Sequence, residues 1–225
     1  MSELLSFANA FRKKKNKSAW NAFFAHLSSA QIAAADECHE LAIDLESEGR
    51  FDLADHYRVF ESEERAHATA IRSLCTEWVD LNRKEKRLYR EKLVGKTTDN
   101  FEKMAILHFS LDTSFLTLLG SIHRNADTLF TDPDWAERVR AKLAPIVRDE
   151  VFHLNEGQEM TIALSRTRPT ETKQKLKKRL TSHQRRVAKT VSRLFSGTNV
   201  PENWLSEMNA NYKQRFERSI DAIVN

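Results

Sequence analysis

The sequence predicts an all-α protein: a four-helix bundle with a long crossover and extra helices at its C-terminal end. Three observations lead there. Of 225 residues only 5 are Gly and 4 are Pro, while Ala, Leu, Glu, Lys and Arg abound, a composition that favours helix and offers little for strands and tight turns. Four long segments repeat apolar residues at alternating steps of four and three, the period of helices that share a core. Short turns join the first segment to the second and the third to the fourth, whereas a long polar stretch separates the two pairs.

In the first segment the stripe is Trp20, Phe24, Leu27, Gln31, Ala34, Cys38, Leu41 and Leu45. In the second it is Leu53, Tyr57, Phe60, Glu64, His67, Ile71, Leu74 and Trp78. The third carries Phe101, Ala105, His108, Asp112, Phe115, Leu119, Ile122 and Ala126, and the fourth Val139, Leu143, Ile146, Glu150, His153, Gly157 and Met160. Ser18 and Asp134 are expected to cap the first and last of these helices. SEGR at 47–50 and TDPD at 131–134 read as the turns of two helical hairpins. The polar stretch 83–100 is the expected crossover. RTRPT near 166 breaks the pattern. A further helix near 171–195, with Leu176, Leu180, Val187, Val191 and Leu194 on one side, and a last helix near 202–223 complete the chain. Residues 1–225 are thus expected to form one domain, a bundle over 18–165 with a basic helical extension over 166–225.

Composition also excludes classes. With 40% hydrophobic residues the chain is not wholly disordered. No run of about 18 apolar residues points to a transmembrane helix. The start, MSELLSFANAFRKKKNK, has its charge after its apolar residues, the wrong order for a secretory signal, so a cytoplasmic protein is expected. Cys38 and Cys75 lie in helical segments without Cys-x-x-Cys spacing and suggest neither a zinc site nor a disulfide. The formal charge is +4, but unevenly placed. Residues 171–195 hold Lys173, Lys175, Lys177, Lys178, Arg179, Arg185, Arg186, Lys189 and Arg193 against the single acid Glu171, and RKKKNK at 12–17 is a second basic cluster.

The stripes are apolar except near their middles, where Gln31, Glu64, His67, His108, Asp112, Glu150 and His153 stand. Burying such groups is costly unless they are paired or bind a metal. Glu64 and His67 (in EERAH) and Glu150 and His153 (in DEVFH) each share a face at i, i+3, so each pair can direct a carboxylate and an imidazole at one point. Register extends the set. Glu64 lies 15 residues after Gly49 and Gln31 lies 18 before it; Glu150 lies 17.5 after the centre of TDPD and Asp112 lies 20.5 before it. The same three-residue offset picks Gln31 and Asp112 as partners. Asp36, Glu37 and Glu40 are expected to point away from the stripe.

Over roughly residues 18–160 the chain resembles the ferritin-like di-iron carboxylate superfamily, which includes ferritins, rubrerythrins, the ribonucleotide reductase small subunit, multicomponent monooxygenases, acyl-carrier-protein desaturases and aldehyde-deformylating oxygenases. The paired Glu-x-x-His carries the likeness, on the oxygenase side rather than the storage side. The resemblance implies metal ligands at Gln31, Glu64, His67, Asp112, Glu150 and His153. It implies that Asp149, and Glu63 in the matching place, orient ligand histidines, with His108 in the layer around the ligands. Two departures stand out: Gln31 and Asp112 occupy positions where the family has Glu. Three carboxylates in place of four weaken the hold on two cations, which allows manganese, a mixed iron–manganese pair or a single metal as well as two iron ions.

The function so implied is an O2-activating non-haem di-iron oxidoreductase, an oxygenase or oxidase that takes O2 as co-substrate and acts on an organic substrate in the bundle core; it needs an electron donor. Phe60, Phe109, Leu111, Phe115 and Phe152 are candidates to line the substrate pocket. One alternative is a ferroxidase or rubrerythrin-like protein handling metal or peroxide. Another is a non-enzymatic basic helical protein that binds nucleic acid or an acidic partner through residues 171–195. The resemblance to the desaturases and to a tRNA-modifying hydroxylase also allows a substrate tethered to an acidic carrier protein or RNA, docked through Lys177, Arg185 and Arg186. A homodimer is compatible with the sequence.

Overall fold

The structure, a computed structural model, describes residues 2–76, 99–195 and 198–224, and among these every regular element is helical. Helix α1 spans Ser2–Ser47 and α2 spans Phe51–Arg72; α3 is Asn100–Ile106, followed by a π-helical turn at Leu107–Asp112; α4 is Thr113–Arg124, α5 Ala126–Leu129, α6 Pro133–Ser165, α7 Thr170–Leu194 and α8 Glu202–Val224. The expected crossover falls almost wholly within 77–98, outside the described residues, as does Trp78.

Gly49 makes the first turn. Its φ of 75° is in the left-handed region, which only glycine enters without strain. Arg50 N–H then donates to Leu45 O and Gly49 N–H to Glu46 O, each at 2.9 Å, so the last carbonyls of α1 are satisfied and the chain reverses into α2. The two caps read from sequence are both displaced. Ser18 lies inside α1, which begins at Ser2. The cap of α6 is Asp132, whose Oδ1 accepts from Asp134 N–H (3.1 Å) and Trp135 N–H (3.3 Å). Pro133 sits at the first helical position, where its missing N–H costs nothing, and that moves the cap two residues upstream of Asp134.

Helix α1 packs along α2, α4 along α6, and α2 also meets α6. All four stripes face inward: apart from the half-buried Leu53 and Met160, their described members are buried. The helix running from Asn100 to Arg124 is buried on every side, because α7 covers α3 and the π turn while α8 covers α4 and the π turn from outside. By length and composition it could cross a membrane, yet its apolar window is entirely inside the protein. A near-continuous apolar run is what a helix wrapped by others needs. On the face expected for α7, Leu176, Leu180, Val187 and Val191 join the same core as the stripes and Leu194 is half-buried against it; Met208, Tyr212, Phe216 and Ile220 of α8 join it too. An aromatic cluster closes one end. Trp20 packs edge-on against Phe130 (centroids 4.7 Å), and Phe23 stacks on Phe195 (4.7 Å), which ties the end of α7 to α1.

Candidate metal centre

Helices α2 and α6 bring the two Glu-x-x-His pairs face to face. One ligand atom from each of Glu64, His67 and Glu150 lies within 4.8 Å of the other two, and all three residues are buried. His67 Nδ1 stands 3.6 Å from Glu150 Oε1 and 3.9 Å from Glu64 Oε2, beyond hydrogen-bond reach of either. His153 approaches from the other side, its Nδ1 3.3 Å from Glu64 Oε1. Gln31, fully buried on α1, donates from Nε2 to Glu150 Oε1 at 2.9 Å. The turn register matches Gln31 with Glu64, but the carboxylate it bonds is Glu150, on α6.

The acids before each tetrad cross over. Asp149 of α6 accepts from His67 Nε2 (3.2 Å), and Glu63 of α2 accepts from His153 Nε2 (2.7 Å). Each helix therefore orients the other's imidazole. An Nε2–H committed to a carboxylate leaves Nδ1 as the lone-pair nitrogen, and in both rings Nδ1 is the atom turned toward the cluster.

Asp112 and His108 sit one contact further out. His108 Nδ1–H donates to Asp112 Oδ2 at 2.7 Å, and Tyr57 O–H donates to His108 Nε2 at 2.7 Å. Asp112 is not among the three clustered ligand residues, but its charge acts on His153. The room for His108 comes from Gly157: a Cβ there would lie 2.0 Å from His108 Nδ1. The fourth stripe passes through a glycine at that position because an imidazole fills the space. Tyr57 was legible only as a core residue, and its hydrogen bond joins α2 to this network. The π turn that carries both His108 and Asp112 was not foreseen; such turns insert one residue into a helix and are frequent at functional sites.

Two expectations about neighbours change. Glu37 is buried at 4% exposure, although helical angle turns it off the stripe; Asp36, by contrast, pairs with Arg65 at the surface (3.0 Å). Phe152 is 48% exposed and lines no interior pocket, whereas Phe60, Phe109, Leu111 and Phe115 are buried. Phe152 precedes His153 by about 100° around α6, which turns it to the exposed side.

The electrostatics show an excess of buried carboxylate. Burial, reinforced by Glu150, pushes the Glu64 carboxyl up to about 8. Burial works against a charged His153, but the Glu64 hydrogen bond and the Glu150 and Asp112 charges prevail and raise it to about 10. His67 is raised in the same way, burial opposing and Glu150 winning. A Glu64 carboxyl that resists ionisation beside imidazoles that attract protons describes a site short of positive charge.

Four buried polar atoms here lack a hydrogen-bond partner: Gln31 Oε1, Glu64 Oε2, His67 Nδ1 and Glu150 Oε2. Others include the indole N–H groups of Trp20, Trp135 and Trp204 in the aromatic cluster, which are donors. Three oxygens and one imidazole nitrogen are all acceptors, the donor set of a divalent cation. The chain matches no family model, no curated protein and no solved structure.

Proposed function

We propose that this chain is a ferritin-like bundle whose core binds a pair of metal ions and that it acts as an O2-activating oxidoreductase on an organic substrate. The observation that carries the reading is the group of orphaned acceptors on Gln31, Glu64, His67 and Glu150. An unpartnered buried polar atom costs about 1–3 kcal/mol, and bound metal accounts for several of them around the Glu64, His67 and Glu150 cluster. The residues fit that group. Glu64, Glu150, His67 and His153 would hold it, the imidazoles through Nδ1, together with Gln31 and Asp112. When bound, two ferrous ions would supply the electrons that reduce O2 while an organic molecule is oxidised.

The chain's own groups do the rest. Asp149 and Glu63 hold the imidazoles in the ligating tautomer. Phe60 packs against His153 at 4.5 Å between ring centroids and keeps water from that side. The pair Tyr57 and His108 leads from Asp112 back to α2. Gln31 brings no charge, so a metal that it helps to hold would be held less firmly than with a carboxylate at that position.

The test is oxygen uptake by protein loaded anaerobically with ferrous iron. Uptake accelerated by members of a panel of organic substrates supports the proposal. Rapid uptake indifferent to every substrate points to metal oxidation and storage, and no uptake by fully loaded protein contradicts an oxidoreductase.

A further inference from the structure

Helix α7 turns two different faces to its surroundings. Leu176, Leu180, His183, Val187 and Val191 are buried. At roughly 100° per residue, Lys178, Arg185, Lys189 and Arg193 fall on the opposite side within an arc of about 80°, with Arg186 at its edge. All five are exposed. The stripe runs ~22 Å along the helix at ~1.5 Å per residue.

Ion pairing separates these cations from their neighbours. Lys175 pairs with Glu171 (2.7 Å), Lys177 with Asp221 (2.8 Å) and Arg179 with Glu102. Lys177, a docking candidate from the sequence, is therefore engaged within the fold. Lys178, Arg185, Arg186, Lys189 and Arg193 form no ion pair among the described residues. No acid occurs between 172 and 195 to neutralise them. Beside the stripe an open groove of ≈490 Å³ is lined by Gln174, Lys177, Lys178, Thr181, Ser182 and Arg185, every one polar.

The chemistry of this face selects its occupant. Protein interfaces are anchored by buried aromatic and apolar residues, and a membrane-surface helix needs an apolar face free to insert. The apolar face of α7 is already used in the core. Single-stranded nucleic acid is held by aromatic stacking, and no aromatic residue lies on the stripe. What remains is a rigid line of Lys and Arg with polar groups between, suited to spaced phosphates and indifferent to sequence. We infer that the outward face of α7 is a docking surface for the phosphate backbone of a base-paired nucleic acid. The inference does not depend on the metal centre.

The test uses the full chain and a fluorescent 20-base-pair duplex in a salt titration. With about 0.9 counterions released per neutralised phosphate, four to five contacts give a log–log slope near −4, a loss of about 200-fold between 50 and 200 mM salt. The variant K178E/R185E/K189E/R193E should bind at least ~10-fold more weakly than K142E/R166E/R215E/R218E, which carries the same net charge and alters exposed cations elsewhere. All eight side chains are exposed, and a circular-dichroism melt confirms folding. Equal weakening in both variants, or no duplex binding by the wild-type protein at 50 mM salt, overturns the inference. So does tighter binding to poly-glutamate or to phosphatidylserine vesicles than to the duplex.

Discussion

Two buried polar networks flank the helix from Asn100 to Arg124, and they solve the same problem in opposite ways. On the outer side, Ser110 of the π turn meets His183 Nδ1 at 2.8 Å, and Tyr212 O–H donates to the Ser110 carbonyl at 3.3 Å. These groups are neutral: burial, helped by Arg186 and Arg179, lowers His183 to about 3, and burial raises the Tyr212 hydroxyl. On the inner side, Glu64, Glu150, His67 and His153 are as deeply buried, yet Glu64, His67 and Glu150 leave acceptors unpartnered. A network closed among neutral groups holds helices together. A network of acceptors short of positive charge is built around something else. Burial alone therefore does not mark a binding site; unmet acceptor capacity does.

The sharpest way to break this contrast is to empty the inner network. Glu64→Ala with Glu150→Ala should abolish metal binding, measured by calorimetry, while the far-ultraviolet circular dichroism stays helical. Next in size is Gly157→Ala. Its Cβ would meet the His108 ring at 2.0 Å, and that ring is held at both nitrogens, so overpacking should cost about 3 kcal/mol in urea unfolding.

The outer network gives a pH signature. His183 titrates near 3 when folded and near 6.5 when unfolded, so the unfolded chain binds the extra proton. Its contribution is complete above about pH 6.5 and is lost progressively as pH falls toward 3. Between pH 6.5 and 5 wild-type stability should therefore fall by about 2 kcal/mol more than that of His183→Gln, read from urea midpoints at the two pH values. A smaller effect separates support from ligation. Glu63→Gln or Asp149→Asn should each weaken metal binding about 10-fold and leave metal-free stability nearly unchanged.

Much of this was legible in sequence because period and chemistry coincide. The four stripes place Gln31, Glu64, His67, Glu150 and His153 on inward faces; the structure clusters Glu64, His67 and Glu150, with Gln31 bonded to Glu150 and His153 3.3 Å from Glu64. The resemblance implied that Asp149 and Glu63 orient histidines; the structure shows that each accepts from the imidazole of the opposite helix. The π turn was hidden, since one inserted residue leaves a four-three stripe looking regular. Tyr57 and His183 were hidden for a different reason: a polar tip on a buried side chain shows its partner only in three dimensions. Glu37 shows the limit of helical angle, because the side of α1 that faces away from the stripe is also partly covered.

Metal binding by the intact protein tests the central claim most directly. Protein stripped with a chelator is titrated with ferrous iron under anaerobic conditions, and bound metal and thermal midpoint are measured together. The account expects about two ions per chain and, at metal concentrations 100-fold above Kd, a stabilisation of about 2.7 kcal/mol, which raises the midpoint by roughly 5–10 °C. No bound iron above background, with a midpoint that stays where it was, would contradict it.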